Sequence, residues 1–502
     1  MIATLQDLPT TPLYLVLYAC GVVWLGFSTM FMYLYITRQW QYRKFKGSLA
    51  LPVLGNCYTA DALSFMRYLA SLRKKHGKVF MVWPFAKAYL VIADPTVVRR
   101  VLSDTKTFIK GSDYRDIFSL GFGEGLVTSS GEKHTKDRAI FSKYFVKANV
   151  TKYAEMINES TKSCMAQKLD PLLPAGTDGP VEVNMETFFA VLSLRCFLRF
   201  SMNTTFDDDL ALEEELCHLV SRGSWATARM MSLNLPMWDV FYPVALIKYA
   251  KGKVWVECEK AIARRRAELE AGTAVDIDDC LSAIIREKMS EKDVLDHVMT
   301  LVCAGHDTTA FFSSFMMLLL AQHTGVQDRV RAEIFEKMGD KPVITMEDVA
   351  ELKFLQKVMQ ETLRLYAVIP MVTREATEEV TVKEAGVTIP KGANVMVPFF
   401  LLNRDPTVWE NPGVFNPDRF DEKASSGTEF TSAKKGFFPF GYGSRTCIGN
   451  TLAQTENGIF LCHLMRNFKF TELKGFKPNI FGGISLTTDN GIRVKIERLK
   501  RG

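Results

Sequence analysis

FPFGYGSRTCIGNTLAQ, residues 438–454, sets Phe440, Gly443, Arg445, Cys447 and Gly449 in the order FxxGxRxCxG. That spacing suits a cysteine offered to a metal as a thiolate. The two glycines let the backbone turn tightly around the sulfur. From Gly449 onward the chain reads as a helix start, whose free N–H groups and dipole favour an anionic ligand. Arg445, two residues ahead of the cysteine, supplies positive charge for a second anion. A lone cysteine in a glycine-rich turn is usually structural or merely buried, but five defined positions within ten residues exceed what that reading needs.

These ten residues resemble the haem-binding loop of the cytochrome P-450 monooxygenases at every defined position. In that class a cysteine thiolate ligates haem and pushes electron density toward O–O cleavage. The resemblance implies haem b as cofactor, with Cys447 as the proximal ligand. It also implies Phe440 packed over the sulfur, Gly441 in the same cofactor-binding turn, and Arg445 paired with a propionate. The implied fold is mostly α with small β-sheets (α+β), with a long central helix over the haem.

Working outward, 502 residues with no long Ser/Gly/Pro linker read as one large catalytic domain. A composition 47% hydrophobic, with 35 Phe and 22 Met, can bury a large core and line an apolar pocket. The net charge of +6 is modest, and no basic stripe is interleaved with aromatics, so nothing argues for nucleic acid. Ten cysteines scattered without CxxC pairs suggest a reducing compartment and disfavour zinc.

Leu13 to Ile36 is a run of 24 residues without charge, long enough to cross a bilayer as a tilted helix. Arg38, Arg43, Lys44 and Lys46 follow, while Met1 to Pro12 holds neither Lys nor Arg. The positive-inside rule then leaves the body in the cytosol. A cleaved signal or transit peptide would carry basic residues earlier. The expected organisation is an anchor at 1–37, a basic and proline-containing linker at 38–56, and a haem-thiolate catalytic domain at 57–502. For this resemblance that means a single-pass protein of the endoplasmic reticulum membrane.

In the body, Val79 to Pro84 and Ala88 to Ala93 read as a hairpin, and Asp94-Pro95 as a helix start. Helical periodicity dominates from about Lys143 to Leu320, and short strands are expected at 380–388, 394–397 and 491–496. Met230 to Ile247 is apolar but holds Pro236 and Pro243, so it reads as a core element broken by prolines, or as a membrane-dipping loop.

Ser290 to His323 reads as one long helix with Ala304-Gly305-His306-Asp307-Thr308-Thr309 at its middle. Glycine beside consecutive hydroxyl residues predicts a local opening with room for a small ligand. AGHDTT resembles the family's oxygen-activation motif, implying that Thr308 hydrogen-bonds dioxygen and Asp307 relays protons. His306 is expected to pack rather than ligate. Glu361 and Arg364 form an i,i+3 ExxR pair, and Arg419 in FNPDRF resembles the family's third member of a buried network that fixes the cysteine loop. GEKHTKDR (131–138) lies where the family has WxxxR: His134 stands at the tryptophan position and Arg138 is retained. Arg374 resembles the second propionate arginine.

The family's substrate-facing positions fall here on Phe118, Phe122, Ala304, Phe311, Met371, Val372, Ile480 and Phe481, favouring a lipophilic small molecule such as a fatty acid, sterol or terpenoid. Lys136, Lys143, Lys434 and Lys435 could steer an acidic electron donor. GFGEG (121–125) lacks the context of a nucleotide fingerprint, so electrons must come from another protein. The resemblance implies NADPH-dependent cytochrome P-450 reductase, with cytochrome b5 as a further candidate. The expected reaction is insertion of one oxygen atom of O2 into such a substrate. The alternatives are a reductase-independent enzyme that rearranges hydroperoxides, and a non-enzymatic membrane haem sensor or carrier.

Overall fold

The Glu291–Gln322 helix is the axis around which the rest is arranged. The computed structural model describes residues 10–48, 50–51, 55–56, 65–84, 87–174, 177, 179–204, 209–233, 237–273, 279–421 and 436–499. Ser290 caps the axial helix, its hydroxyl accepting from the Asp293 N–H at 3.1 Å. The helix is apolar on nearly all sides, as an element surrounded by others must be. Along one flank lies the Met185–Met202 helix, which closes so tightly that a Cβ on Gly305 would sit 2.1 Å from the Phe197 ring. The Ser193 hydroxyl on that neighbour donates to the His306 carbonyl at 3.1 Å. The axis is α-helical throughout Ala304–Thr309, so the expected opening is absent. The space glycine leaves is taken by Phe197, and the Thr308 hydroxyl donates back to the Ala304 carbonyl at 2.7 Å.

The small sheets lie at the margins. Val79–Val82 and Tyr89–Ile92 form the expected antiparallel hairpin. Tyr89–Ile92 pairs in parallel with Asn394–Pro398, and Met371–Ala376 lies between that strand and Phe108–Ile109. The C-terminal strand is Arg493–Arg498, sandwiched between Val181–Asn184 and Phe468–Glu472. Asp94 caps the Pro95–Ser103 helix as its sequence predicts, accepting from the Thr96 and Val97 N–H groups.

The N-terminal helix runs from Thr10 to Gln41, past the expected boundary at 37. It is the one helix among the described residues long and apolar enough to cross a membrane, with mean hydropathy 1.6 over Leu17–Gln41. Leu17, Trp24 and Tyr33 on it are exposed. Its last turns dock on the body: the Gln41 amide donates to the Lys391 carbonyl at 2.9 Å, and Tyr42 meets Trp83 edge-on. In the proline-bearing stretch, helices span Leu210–Leu233 and Met237–Glu270. The second helix continues through Pro243, so that proline breaks nothing, and Pro236 lies outside the described residues.

Buried polar groups tie the layers together. His463 Nε2 lies 2.7 Å from Asn158 Oδ1, which also accepts from the Ile344 N–H at 3.0 Å. Burial, helped by Lys162 and Arg466, pushes His463 down to about 4. Below the ordinary imidazole value the unfolded chain binds this proton and the folded chain does not. The resulting stabilisation is complete above about pH 6.5 and is lost as pH falls toward 4, a swing of about 3 kcal/mol. The urea midpoint should therefore fall between pH 7 and pH 4.5, and fall less in His463→Gln. Parallel curves for the two proteins would remove His463 as the cause.

Candidate active site

Cys447 is presented by a turn whose glycines do different jobs. Gly441 and Gly443 take positive φ, +81° and +74°, conformations that an L side chain disfavours. A Cβ on Gly443 would also lie 2.9 Å from the Leu102 carbonyl oxygen, where the turn presses on the Pro95–Ser103 helix. Gly449, expected to share the tight turn, instead has φ −85° and caps the Asn450–Asn467 helix. Its N–H points at the Cys447 sulfur. The Cys447 N–H donates to the Phe440 carbonyl at 2.8 Å, folding Phe440 back against the loop.

The sulfur is enclosed yet accessible, because it opens onto a cavity of about 340 Å³. Burial raises the Cys447 thiol above its ordinary value, while the Gly449 N–H and Arg138 oppose that. Thr308, Asp307 and Ala304 of the axial helix line the same cavity. Asp307 Oδ1 accepts from the Ser221 hydroxyl at 3.0 Å and lies 2.9 Å from His306 Nδ1. Burial would raise the Asp307 carboxyl, but His306, Ser224 and Ser221 together hold it below its ordinary value. His306 is fully buried, as a packing residue should be.

Cations collect at one end. Arg138 donates to the Thr446 carbonyl at 2.6 Å, and Arg445 to the Ser129 carbonyl at 2.8 Å. Arg374, on the Met371–Ala376 strand, donates to the Thr373 carbonyl at 2.7 Å. Burial, then Arg374 and Arg138, push Arg445 down to about 10. His134 is buried beside them, and burial, Arg445, Arg138 and Lys110 push it down to about 3, so it stays neutral at ordinary pH. None of these arginines is ion-paired to a carboxylate among the described residues.

Of the expected apolar wall, Phe118, Phe122, Ala304, Met371 and Val372 line the cavity. Phe311, Ile480 and Phe481 do not. Phe311 is buried in the core facing Phe315, and Phe312 takes its place; Phe481 is buried, and Gly482, Gly483 and Ile484 face the cavity. Adjacent residues on a helix differ by about 100° of rotation, and here that turn brings Phe312 rather than Phe311 to the cavity. Lys110 and Tyr114 also line the cavity and were not anticipated. Their signal was a basic residue and an aromatic four apart beside a short β-run. Gly123 and Gly125 of GFGEG are packing residues, since a Cβ on either would strike Asp296 or Thr300 within 2.2 Å.

On the Lys353–Leu365 helix, Glu361 and Arg364 are fully buried. Arg364 holds both Glu361 oxygens at 2.7 and 2.8 Å, and Arg419 adds a contact to Glu361 Oε1 at 2.9 Å. Arg364 also donates to the carbonyls of Asn403, Pro412 and Val414. The three residues therefore meet as expected. Lys136 and Lys143 are exposed; Lys434 and Lys435 lie outside the described residues.

A helical body enclosing an apolar chamber, with a cysteine on one wall, a hydroxyl and an acid on another, and carboxylate-seeking cations at its end, defines a protein that holds a large acidic cofactor. The family model described as Cytochrome P450 matches residues 46–496, and the chain belongs to the cytochrome P-450 family of haem-thiolate monooxygenases. It is similar to cytochrome P450 4d2 of Drosophila melanogaster, 25% identical over 94% of this chain and 97% of the relative. Cytochrome P450 734A1 of Arabidopsis thaliana is 27% identical, with 79% and 76% covered. The 11-oxo-beta-amyrin 30-oxidase of Glycyrrhiza uralensis is also 27% identical, over 79% of this chain and 76% of that one. The chamber fits the family's cofactor: one thiol for the metal, and unpaired arginines for two propionates.

Proposed function

We propose that this protein is a membrane-anchored monooxygenase that hydroxylates a lipophilic substrate of fatty acid, sterol or terpenoid type. One observation carries the reading: Cys447 and the Thr308–Asp307 pair border the same enclosed, largely apolar cavity. Haem, when bound, supplies dioxygen activation and accepts the electrons. Cys447 would hold the metal, with Phe440 and Gly441 shaping the turn around its sulfur. Arg138, Arg374 and Arg445 would take the propionates, and neutral His134 can donate one N–H there. Glu361, Arg364 and Arg419 brace the segments that lead into the loop.

The net reaction, R–H + O2 + 2e⁻ + 2H⁺ → R–OH + H2O, needs protons where bulk water is excluded. Asp307 is built to pass them: it is hydrogen-bonded to two serines of the Leu210–Leu233 helix and faces the cavity. Thr308 borders the cavity and holds the proton at its Oγ1, now directed at the Ala304 carbonyl. Phe118, Phe122, Met371 and Val372 hold the substrate and exclude water.

Electrons would arrive from an NADPH-dependent reductase, with cytochrome b5 as a second donor, docking near Lys136 and Lys143. The apolar Leu17–Gln41 helix, followed by basic residues, supports a single-pass anchor in the endoplasmic reticulum membrane at residues 1–37, a linker at 38–56 and a catalytic domain from 57. The test is turnover of a lipid panel with reductase and NADPH after the reduced carbon monoxide complex has shown a thiolate-type Soret band. In Thr308→Ala we expect NADPH consumption to persist while product falls roughly 10²-fold and peroxide rises. Tight coupling in that variant would refute the proton role.

A further inference from the structure

We infer that Asp113 is a positioning residue that sets the spacing between the aromatic stack of the cavity and the Met371–Val372 wall, and so determines which ring-bearing ligands fit. The stack is built on one short stretch of chain. Tyr114 lies on Phe118 with ring centroids 4.6 Å apart, and Phe118 meets Phe122 at 5.7 Å. These three form a cluster separate from the two larger cores, with Val127, Cys303 and Ile484 packed against it among the described residues. The backbone beneath is a single π-helical turn, Asp113–Phe118, running on into Ser119–Phe122. Such turns are rare and gather at functional sites. A stack with so few apolar contacts, outside the main cores, keeps its place only if something anchors it.

Asp113 is that anchor. It is buried, and both of its carboxylate oxygens are engaged. Oδ1 accepts from the Tyr89 hydroxyl at 2.8 Å and from the Lys87 ammonium, and Oδ2 accepts from the Thr373 hydroxyl at 2.8 Å. Lys87 also donates to the Ser112 hydroxyl at 2.8 Å, so it grips two successive residues at the head of the turn.

Thr373 follows Met371 and Val372 on the Met371–Ala376 strand, and those two side chains line the same cavity as the stack. One carboxylate therefore fixes the stack against that strand, while Tyr89 and Lys87 tie both to the first hairpin. Charge-assisted bonds are short and directional, so they hold the spacing more rigidly than apolar contact alone. Asp113 and Lys87 themselves stand behind the cavity lining rather than in it. Changing either one moves a wall without deleting a contact to the ligand.

This inference rests on the haem-thiolate reading, so wild type is first checked for the thiolate-type Soret band. Its absence there sinks that reading; its presence opens the test of this one. In the holoprotein, the spectral shift on ligation gives dissociation constants for imidazole, which needs only the metal, and for 4-phenylimidazole, whose second ring also needs the walls. Asp113→Ala should weaken 4-phenylimidazole roughly 10-fold relative to imidazole. Lys87→Gln, a milder change, should shift the same ratio in the same direction, and Lys87→Arg should match wild type. Asp279→Asn loosens the buried Arg265–Asp279 pair, which does not line the cavity. It should lower the urea midpoint and leave the ratio alone. If Asp113→Ala fails to load haem, Lys87→Gln decides. A ratio within about twofold of wild type in every haem-loaded Asp113→Ala and Lys87→Gln protein, or an equal shift in Asp279→Asn, overturns the inference.

Discussion

Cys447→Ser should fold and lose the thiolate-type Soret band completely. The loop does not depend on the sulfur for its shape: the Cys447 N–H still reaches the Phe440 carbonyl, and Gly441 and Gly443 keep their positive φ. What changes is the donor. Serine is nearly isosteric, but its hydroxyl is a far weaker acid than a thiol and is hard where a thiolate is soft. The Gly449 N–H and Arg138, which favour the anionic sulfur, cannot ionise an alcohol against the burial that already raises the thiol. We expect less haem per protein, a reduced carbon monoxide complex without the thiolate band, and activity down by roughly 10³-fold or more. A retained band would show that another residue is the ligand.

Glu361→Ala should do its damage without touching the cavity. It leaves Arg364 fully buried with the carbonyls of Asn403, Pro412 and Val414 but no counter-charge. It also removes the carboxylate partner of Arg419, leaving it the Glu410 and Val414 carbonyls, and the acceptor for the Asn416 N–H. Stranding a buried charge costs about 3–5 kcal/mol, a large share of a typical folding free energy. We expect little haem-loaded protein and a clearly lower urea midpoint. Glu361→Ala combined with Arg364→Leu should recover part of that loss, because the stranded charge is gone. A midpoint unchanged in Glu361→Ala would mean that the network does not brace the loop. The fall should exceed that in Lys133→Ala, whose ion pair with Asp293 is half exposed.

Several features were legible from short stretches of chain. The Ser290 cap, the Asp94 cap, the long axial helix and the ExxR pair depend on residues at most four apart, and each stands as its spacing implies. The Cys447 turn was legible for the same reason, although positive φ falls on Gly441 and Gly443 rather than Gly449. The Met371–Ala376 strand was not read, because it is defined by partners at Asn394–Pro398 and Phe108–Ile109 rather than by its own alternation. The opening expected at Gly305 failed because the spacing could not reveal a phenylalanine from another helix lying over it.

Local rules thus carried the turn that offers the thiol, the Glu361–Arg364 charge pair and the long axial helix, since backbone sterics and i,i+3 or i,i+4 geometry act within one turn of chain. The choice of Phe312 over Phe311, the serines that hold Asp307, and the meeting of Lys110 and Tyr114 with Arg374 and Arg445 came from contacts between residues tens to hundreds of positions apart. Such contacts depend on how helices rotate and strands register when the whole core packs, and that information is spread over the entire chain.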